Sequence, residues 1–280
     1  MTNTRKLAAL CGAVGLALFA ISGTAAADGY EVAAPVAPAD EGRKFTYSFN
    51  LGVTSDYVFR GISQSDNDPT IQGGVDVGYG IAYLGWWASG VKFDPAPADL
   101  NGNDANVEMD WYGGIRPTWG KATFDLGVIY YTYPGEGWRP LATSQPQLNY
   151  VELKAGVSGE LIKNLATGLT VYWSPDSFAE TGSVWTIEGV AGYTFHQVGP
   201  FTPSVTGTLG YVTGGDEYSA FNGFNHYWYW NAGLALAVDK LTFDFRYWGT
   251  DASNDMSDQL TCINDYCNDR FVFSAKVVLP

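Results

Sequence analysis

The stretch Phe45–Gly61, FTYSFNLGVTSDYVFRG, decides how the rest of the chain is read. Phe45, Tyr47, Phe49, Leu51 and Val53 alternate with Thr46, Ser48, Asn50, Gly52 and Thr54. That is the period of a strand with one apolar and one polar face. A soluble protein turns the apolar face inward, whereas a membrane barrel turns it outward. The choice between them rests on the sequence around this strand.

Twelve segments alternate in this way: Phe45–Thr54, Thr70–Gly80, Ile81–Lys92, Asn106–Arg116, Ala122–Tyr133, Tyr150–Ser158, Gly168–Ser174, Val184–Phe195, Phe201–Val212, Tyr227–Val238, Leu241–Trp248 and Arg270–Leu279. The first of them could run on to Phe59, and the third is aromatic on both faces, so its sides cannot be assigned. The connections alternate in length without exception. Gly80/Ile81, Pro117–Lys121, Gly159–Leu165, His196–Pro200 and Asp239-Lys240 are short. Ser55–Pro69, Phe93–Ala105, Pro134–Asn149, Pro175–Ser183, Thr213–His226 and Gly249–Asp269 are long. An even number of strands with short turns at one end and long loops at the other is the pattern of an outer-membrane barrel.

The faces opposite the apolar ones carry charges in mid-strand. Asp76, Glu108, Asp110, Asp125, Glu152, Glu188 and Asp244 are acidic there, and Arg116, Lys154, Arg246 and Lys276 are basic. Aromatic residues gather near segment ends (Phe45 and Tyr57, Trp228 and Trp230, Phe245 and Tyr247), as interfacial girdles do. The expected fold is therefore an all-β, transmembrane, antiparallel up-and-down barrel of about twelve strands, with apolar faces toward lipid and polar faces toward a lumen.

The first residues read as an export signal. Arg5 and Lys6 precede the apolar run Leu7–Ile21, and Ala25-Ala26-Ala27 ends it, which predicts a signal peptide over residues 1–27. Residues 28–44 form an Ala/Pro-rich leader, and residues 45–280 the barrel. Removing Arg5 and Lys6 takes the formal charge from −14 to −16, which argues against nucleic acid as a partner. Charged residues make up 16% of the chain, and no later run approaches a membrane-spanning helix, so insertion must use strands.

The second half of the opening stretch is more specific. TSDYVFRGISQSDNDPTIQGG resembles the start of the TorF family of porins, through Ser55, Asp56, Tyr57, Phe59, Arg60, Gly61, Ser63, Gln64, Pro69, Gln72 and Gly73. YLGWWASGV and YYTYPG are similar as well, and the resemblance extends from about Phe45 to the end. It implies a single Gram-negative outer-membrane β-barrel. One departure is the C-terminus, Leu279-Pro280, where such barrels commonly end in an aromatic residue.

A channel needs only a polar lumen and a constriction. Arg60, with Asp56 on the same side, is the candidate constriction charge; the alternative is that Arg60 pairs with Asp56 or a lumen carboxylate and holds the first loop. The lumen candidates number seven acids to four bases, which predicts a weak cation preference. Small hydrophilic solutes, outer-membrane lipid, lipopolysaccharide and the barrel-assembly machinery are the expected partners, and no cofactor is expected. The alternative function is a non-conducting structural or adhesive barrel acting through its loops.

Other chemistry is weakly marked. Cys262 and Cys267 are expected to form a local disulfide in an oxidising compartment. The two histidines, His196 and His226, have no catalytic spacing. Asp99–Asp110 half-resembles a calcium loop but has Asp104 where glycine is required. The aspartates 251, 255, 258, 265 and 269 read as a solvated acidic loop.

Overall fold

In the computed structural model, residues 45–93, 105–135, 147–223, 225–252, 262 and 265–280 are described. The segment 1–44, with the signal-peptide and leader readings, lies outside them. Twelve long strands run in chain order: β1 Phe45–Thr54, β2 Thr70–Tyr79, β3 Ala82–Gly90, β4 Val107–Ile115, β5 Ala122–Thr132, β6 Tyr150–Ile162, β7 Leu165–Ser174, β8 Val184–Thr194, β9 Thr202–Gly214, β10 His226–Val238, β11 Leu241–Thr250 and β12 Arg270–Leu279. Every strand pairs antiparallel with its sequence neighbours, and β1 also pairs with β12, Phe49 opposite Leu279. The sheet therefore closes on itself and has no free edge. This is a twelve-stranded antiparallel barrel.

The inside-out placement of side chains settles which face is which. Along β1 the odd-numbered residues are exposed, with Leu51 at 58% and Phe49 at 46%, while Ser48 and Thr54 on the other face are buried. Ile71, Leu84, Leu126, Leu169, Leu209 and Phe245 continue this outward apolar surface around the ring. Each exposed Å² of apolar surface would cost ~25 cal/mol in water, so a band this large fits only a hydrocarbon environment. The third strand resolves in the same way. Leu84, Trp86 and Ala88 face out, and Tyr83, Trp87 and Ser89 face in.

Several sequence boundaries move. The sixth and seventh strands extend to Ile162 and back to Leu165, leaving only Lys163 and Asn164 as the turn. The first strand stops at Thr54 and does not run on to Phe59. Instead Val58–Phe59 pairs with Ile62–Ser63 as a separate hairpin, and this hairpin points into the barrel.

The core is in the lumen. One cluster joins Tyr57, Trp87, Tyr112, Ile129, Tyr131, Tyr133 and Tyr150, with Phe59, Phe93 and Phe178 packed against it. A second joins Val58, Ile62, Val184, Val212, Tyr227, Tyr229, Trp248, Tyr266 and the cystine. Tyr57, expected in an interfacial girdle, is instead 1% exposed and fills the inside. The first loop supplies Tyr57, Phe59, Val58 and Ile62 to both clusters, which is why it folds inward: its apolar side chains find a dry seat only there.

Candidate functional site

The hairpin 58–63 turns on Arg60 and Gly61, both with positive φ, 50° and 84°. Two such residues between short strands make the tight hairpin turn whose twist matches the strands. For Arg60 this conformation costs on the order of 1–2 kcal/mol, so surrounding contacts must hold it. They are strong. The Arg60 guanidinium donates two parallel hydrogen bonds to Glu152 on β6, at 2.7 and 2.8 Å. It also lies over the rings of Phe59 and Tyr172, 4.6 and 4.9 Å from their centroids. The Tyr131 hydroxyl donates to the same carboxylate at 3.1 Å. On the other side of the turn, a Cβ on Gly61 would come within 2.9 Å of Tyr229 Cβ on β10 and 3.0 Å of Thr250 Cβ on β11. The tip of the hairpin thus reaches from the β10–β11 wall to β6.

The base of the loop is tied separately. Asp56 accepts hydrogen bonds from the hydroxyls of Ser63 and Ser65 and from Arg270 Nη1 on β12, at 2.7, 2.9 and 2.7 Å. The Tyr57 amide donates to Ser65 Oγ, and the Tyr57 hydroxyl donates to Glu108 Oε1 at 2.7 Å. Ser63 N donates to the Tyr266 carbonyl at 2.9 Å. Lys92 anchors the outer part through Asp66 and Asp68, at 2.8 and 2.9 Å. Most polar residues of the Ser55–Gln64 motif therefore hold either the wall or one another. Arg60 and Asp56, paired as one possibility from sequence, do not meet: Arg60 takes Glu152 and Asp56 takes Arg270.

The remaining lumen candidates divide by depth. Toward the long-loop end, Glu108, Asp110, Glu152 and Glu188 are all buried around the Arg60 hairpin, and Tyr229 donates to Glu188 at 2.6 Å. Toward the short-turn end, Asp125 accepts from Tyr83, Arg116 and Lys154 at 2.7, 3.1 and 3.0 Å. Asp76 accepts from Tyr112 at 2.7 Å, and Arg246 is held by Asp244, Asn231 and Thr206. Lys276 lies on the inner face of β12, opposite Gly52. The lower carboxylates are the more open, Asp125 at 23% and Asp244 at 18% against Glu152 at 2%, although Arg246 at 4% is as closed as the upper pair. Each of the twelve strands has at least one buried inward residue toward the long-loop end: Thr54, Gly74, Ser89, Asp110, Tyr131, Glu152, Ser174, Thr186, Val212, Tyr229, Trp248 and Val272.

This partition alters the sequence tally. Of the four upper carboxylates, Glu152 takes the hairpin's arginine while Glu108 and Glu188 accept from Tyr57 and Tyr229; the lower lumen holds three acids against four bases. The formal balance of acids and bases among these residues thus reverses along the axis. Wall glycines make room for these long side chains: a Cβ on Gly210 would come within 2.0 Å of the Tyr229 ring.

The other candidates separate. His196 lies in a short turn, and His226 begins β10 at the long-loop end, so the two stand at opposite ends of the barrel. Of the half calcium loop, Asp99–Asp104 lies outside the described residues, while Glu108 and Asp110 are buried wall residues. Asp255 and Asp258 also lie outside the described residues; Asp251 accepts from the Trp228 amide and Asp269 from the Tyr247 hydroxyl. Cys262 and Cys267 are joined in a disulfide. Arg60 does pair with a lumen carboxylate, the other form of the alternative; what sequence reasoning missed was which one, Glu152, and Arg270 as the clamp on Asp56, because neither pairing leaves a local spacing.

The chain belongs to the family described as "Bacterial protein of unknown function (Gcw_chp)", whose model matches residues 38–278. No curated protein matches it. Among solved structures, the KdgM porin aligns at a TM-score of 0.50 and 9% identity, covering 83% of this chain and 98% of that one. The NanC porin aligns at 0.48 and 12% identity, with 83% and 98% coverage, and LpxR from Salmonella typhimurium at 0.44 and 8%, with 83% and 99%. At such identities the likeness is one of fold, that of the outer-membrane porin barrels.

Proposed function

We propose that this member of the Gcw_chp family is an outer-membrane channel for passive diffusion of small hydrophilic solutes, with its first loop as the constriction. The observation that carries this reading is the inverted barrel: an apolar outside and a charged inside, with the lower carboxylates Asp125 and Asp244 partly exposed. The short turns then face the periplasm and the long loops the exterior, in contact with lipopolysaccharide, after export and insertion by the assembly machinery. The resemblance to TorF porins agrees with this. A weak cation preference does not follow from the lumen charges, because the acid excess lies around the first loop and the lower lumen holds three acids against four bases.

A second reading has its own support. A ring of buried residues from all twelve strands favours a non-conducting barrel that acts through its loops. The two readings part in a planar bilayer. The channel reading expects brief conductance steps from the wild type and longer ones from Glu152→Gln, which frees Arg60. If neither protein produces discrete steps at any salt concentration, the barrel is structural.

A further inference from the structure

The first loop is held from inside by Glu152, but its other half rests on the last loop. The Cys262–Cys267 disulfide closes a turn of five residues' separation, and both sulfurs belong to the apolar cluster that seats Val58 and Ile62 of the hairpin. Tyr266 stands inside that closed turn and is 5% exposed. Its carbonyl takes hydrogen bonds from Ser63 N at 2.9 Å and from Arg270 Nη2 at 2.6 Å. Arg270 in turn also bonds the Asp265 carbonyl and clamps Asp56 at 2.7 Å. The cystine therefore fixes a backbone acceptor, and orients a guanidinium, that together grip the outer side of the hairpin.

We infer that the Cys262–Cys267 disulfide is the outer latch of the first loop, and that a small dithiol unseats the loop by reducing it. The step balances simply: two electrons and two protons pass from the dithiol to the two sulfurs, the S–S bond breaks, two thiols form and the reductant closes to its own cyclic disulfide. Freed of its covalent closure, the turn no longer presents the Tyr266 carbonyl in register with Ser63, and the apolar seat of Val58 and Ile62 opens on one side. The inference concerns the structure of the loop; only its effect on current rests on the channel reading.

The experiment is amide hydrogen exchange across Tyr57–Ser65 in the full chain, reconstituted in lipid, with and without dithiothreitol. Reduction is expected to speed exchange there by about tenfold, equivalent to ~1.4 kcal/mol of lost protection, while β6–β9 stay unchanged. The Cys262→Ser/Cys267→Ser double variant should exchange at the reduced rate and ignore dithiothreitol; its heat-modifiable migration on gels checks that it is folded. Equal protection of the loop in the oxidised and reduced protein overturns the inference. Faster exchange without any current in bilayers supports the latch and sinks the channel reading instead.

Discussion

Asp56 and Arg270, 214 positions apart in the sequence, meet at 2.7 Å beside the seam where the first and last strands pair. Their side chains are 6% and 11% exposed. Removing one partner of a buried pair strands the other charge, at a cost of ~3–5 kcal/mol. Arg270→Gln should therefore lower the urea midpoint of the reconstituted barrel clearly. The Asp56→Asn/Arg270→Gln pair should lose less than the two single changes together, as a double-mutant cycle of unfolding would reveal.

Arg60 depends on its fork as well as its charge. A lysine offers a point charge in place of two parallel donors, so Arg60→Lys should give open times between those of the wild type and Arg60→Gln. Arg60→Glu sets two carboxylates face to face and should hold the loop out most of the time. Exchanging the pair, Arg60→Glu with Glu152→Arg, should restore a large part of the closed time in single-channel records. A swap no more closed than Arg60→Glu alone would show that the attraction is not what seats the hairpin.

Gly61 and Gly80 both have positive φ, 84° and 60°, but differ in their surroundings. A Cβ added to Gly80 would meet nothing within 4 Å, whereas one added to Gly61 would meet Tyr229 and Thr250 at 2.9 and 3.0 Å. Gly80→Ala should cost only the strain of the conformation, ~1–2 kcal/mol. Gly61→Ala meets that strain and a collision close to the backbone, so the hairpin should leave the β10–β11 wall. Hydrogen exchange of Tyr57–Ser65 distinguishes them: fast for the Gly61 variant and unchanged for the Gly80 variant.

Gly210→Ala should drive the Tyr229 ring off its place on the wall and pull its hydroxyl from Glu188. Overpacking of this kind costs typically ~1–3 kcal/mol, and the buried carboxylate loses its donor in addition. The variant should unfold at lower urea and lose near-ultraviolet tyrosine dichroism. Tyr229→Phe, which keeps the ring, should keep most of that dichroism.

Lys92 is held above its ordinary value by the hydrogen bonds it donates to Asp66 and then Asp68, in an exposed setting. A raised lysine contributes its attachment at all pH values below its unfolded value of 10.5 and loses it only as pH climbs through the folded one. Exchange at Asp66–Asp68, corrected for the intrinsic pH dependence of amides, should therefore stay flat from pH 7 to 9. Lys92→Gln should raise it equally across that range.

The barrel itself was legible because its period and its loop lengths point the same way. Phe45–Thr54 and Arg270–Leu279 came out with their sequence boundaries intact. The third strand was opaque for a physical reason. Trp86 faces lipid and Trp87 faces a lumen core, so hydropathy cannot tell its sides apart. The direction of the first loop was hidden because length says nothing about where a loop goes. A signal was nonetheless present: Arg60-Gly61 between Val58-Phe59 and Ile62-Ser63 has the two-residue form of a hairpin turn, and its apolar flanks are out of place in water. The seats at Glu152 and Arg270 come from distant strands, and only the closed ring brings them to the loop.

The seam between Phe49 and Leu279 also ties the first loop to closure of the ring. Tyr266 and Arg270 adjoin the final strand, so they stand beside Ser63 and Asp56 where that strand pairs with the first. The hairpin can therefore take its full set of contacts only in a completed ring. A ring left open at that seam keeps the contacts to Glu108 and Glu152 but lacks those to Tyr266 and Arg270. Seating of the first loop and closure of the cylinder thus share contacts, so each stabilises the other.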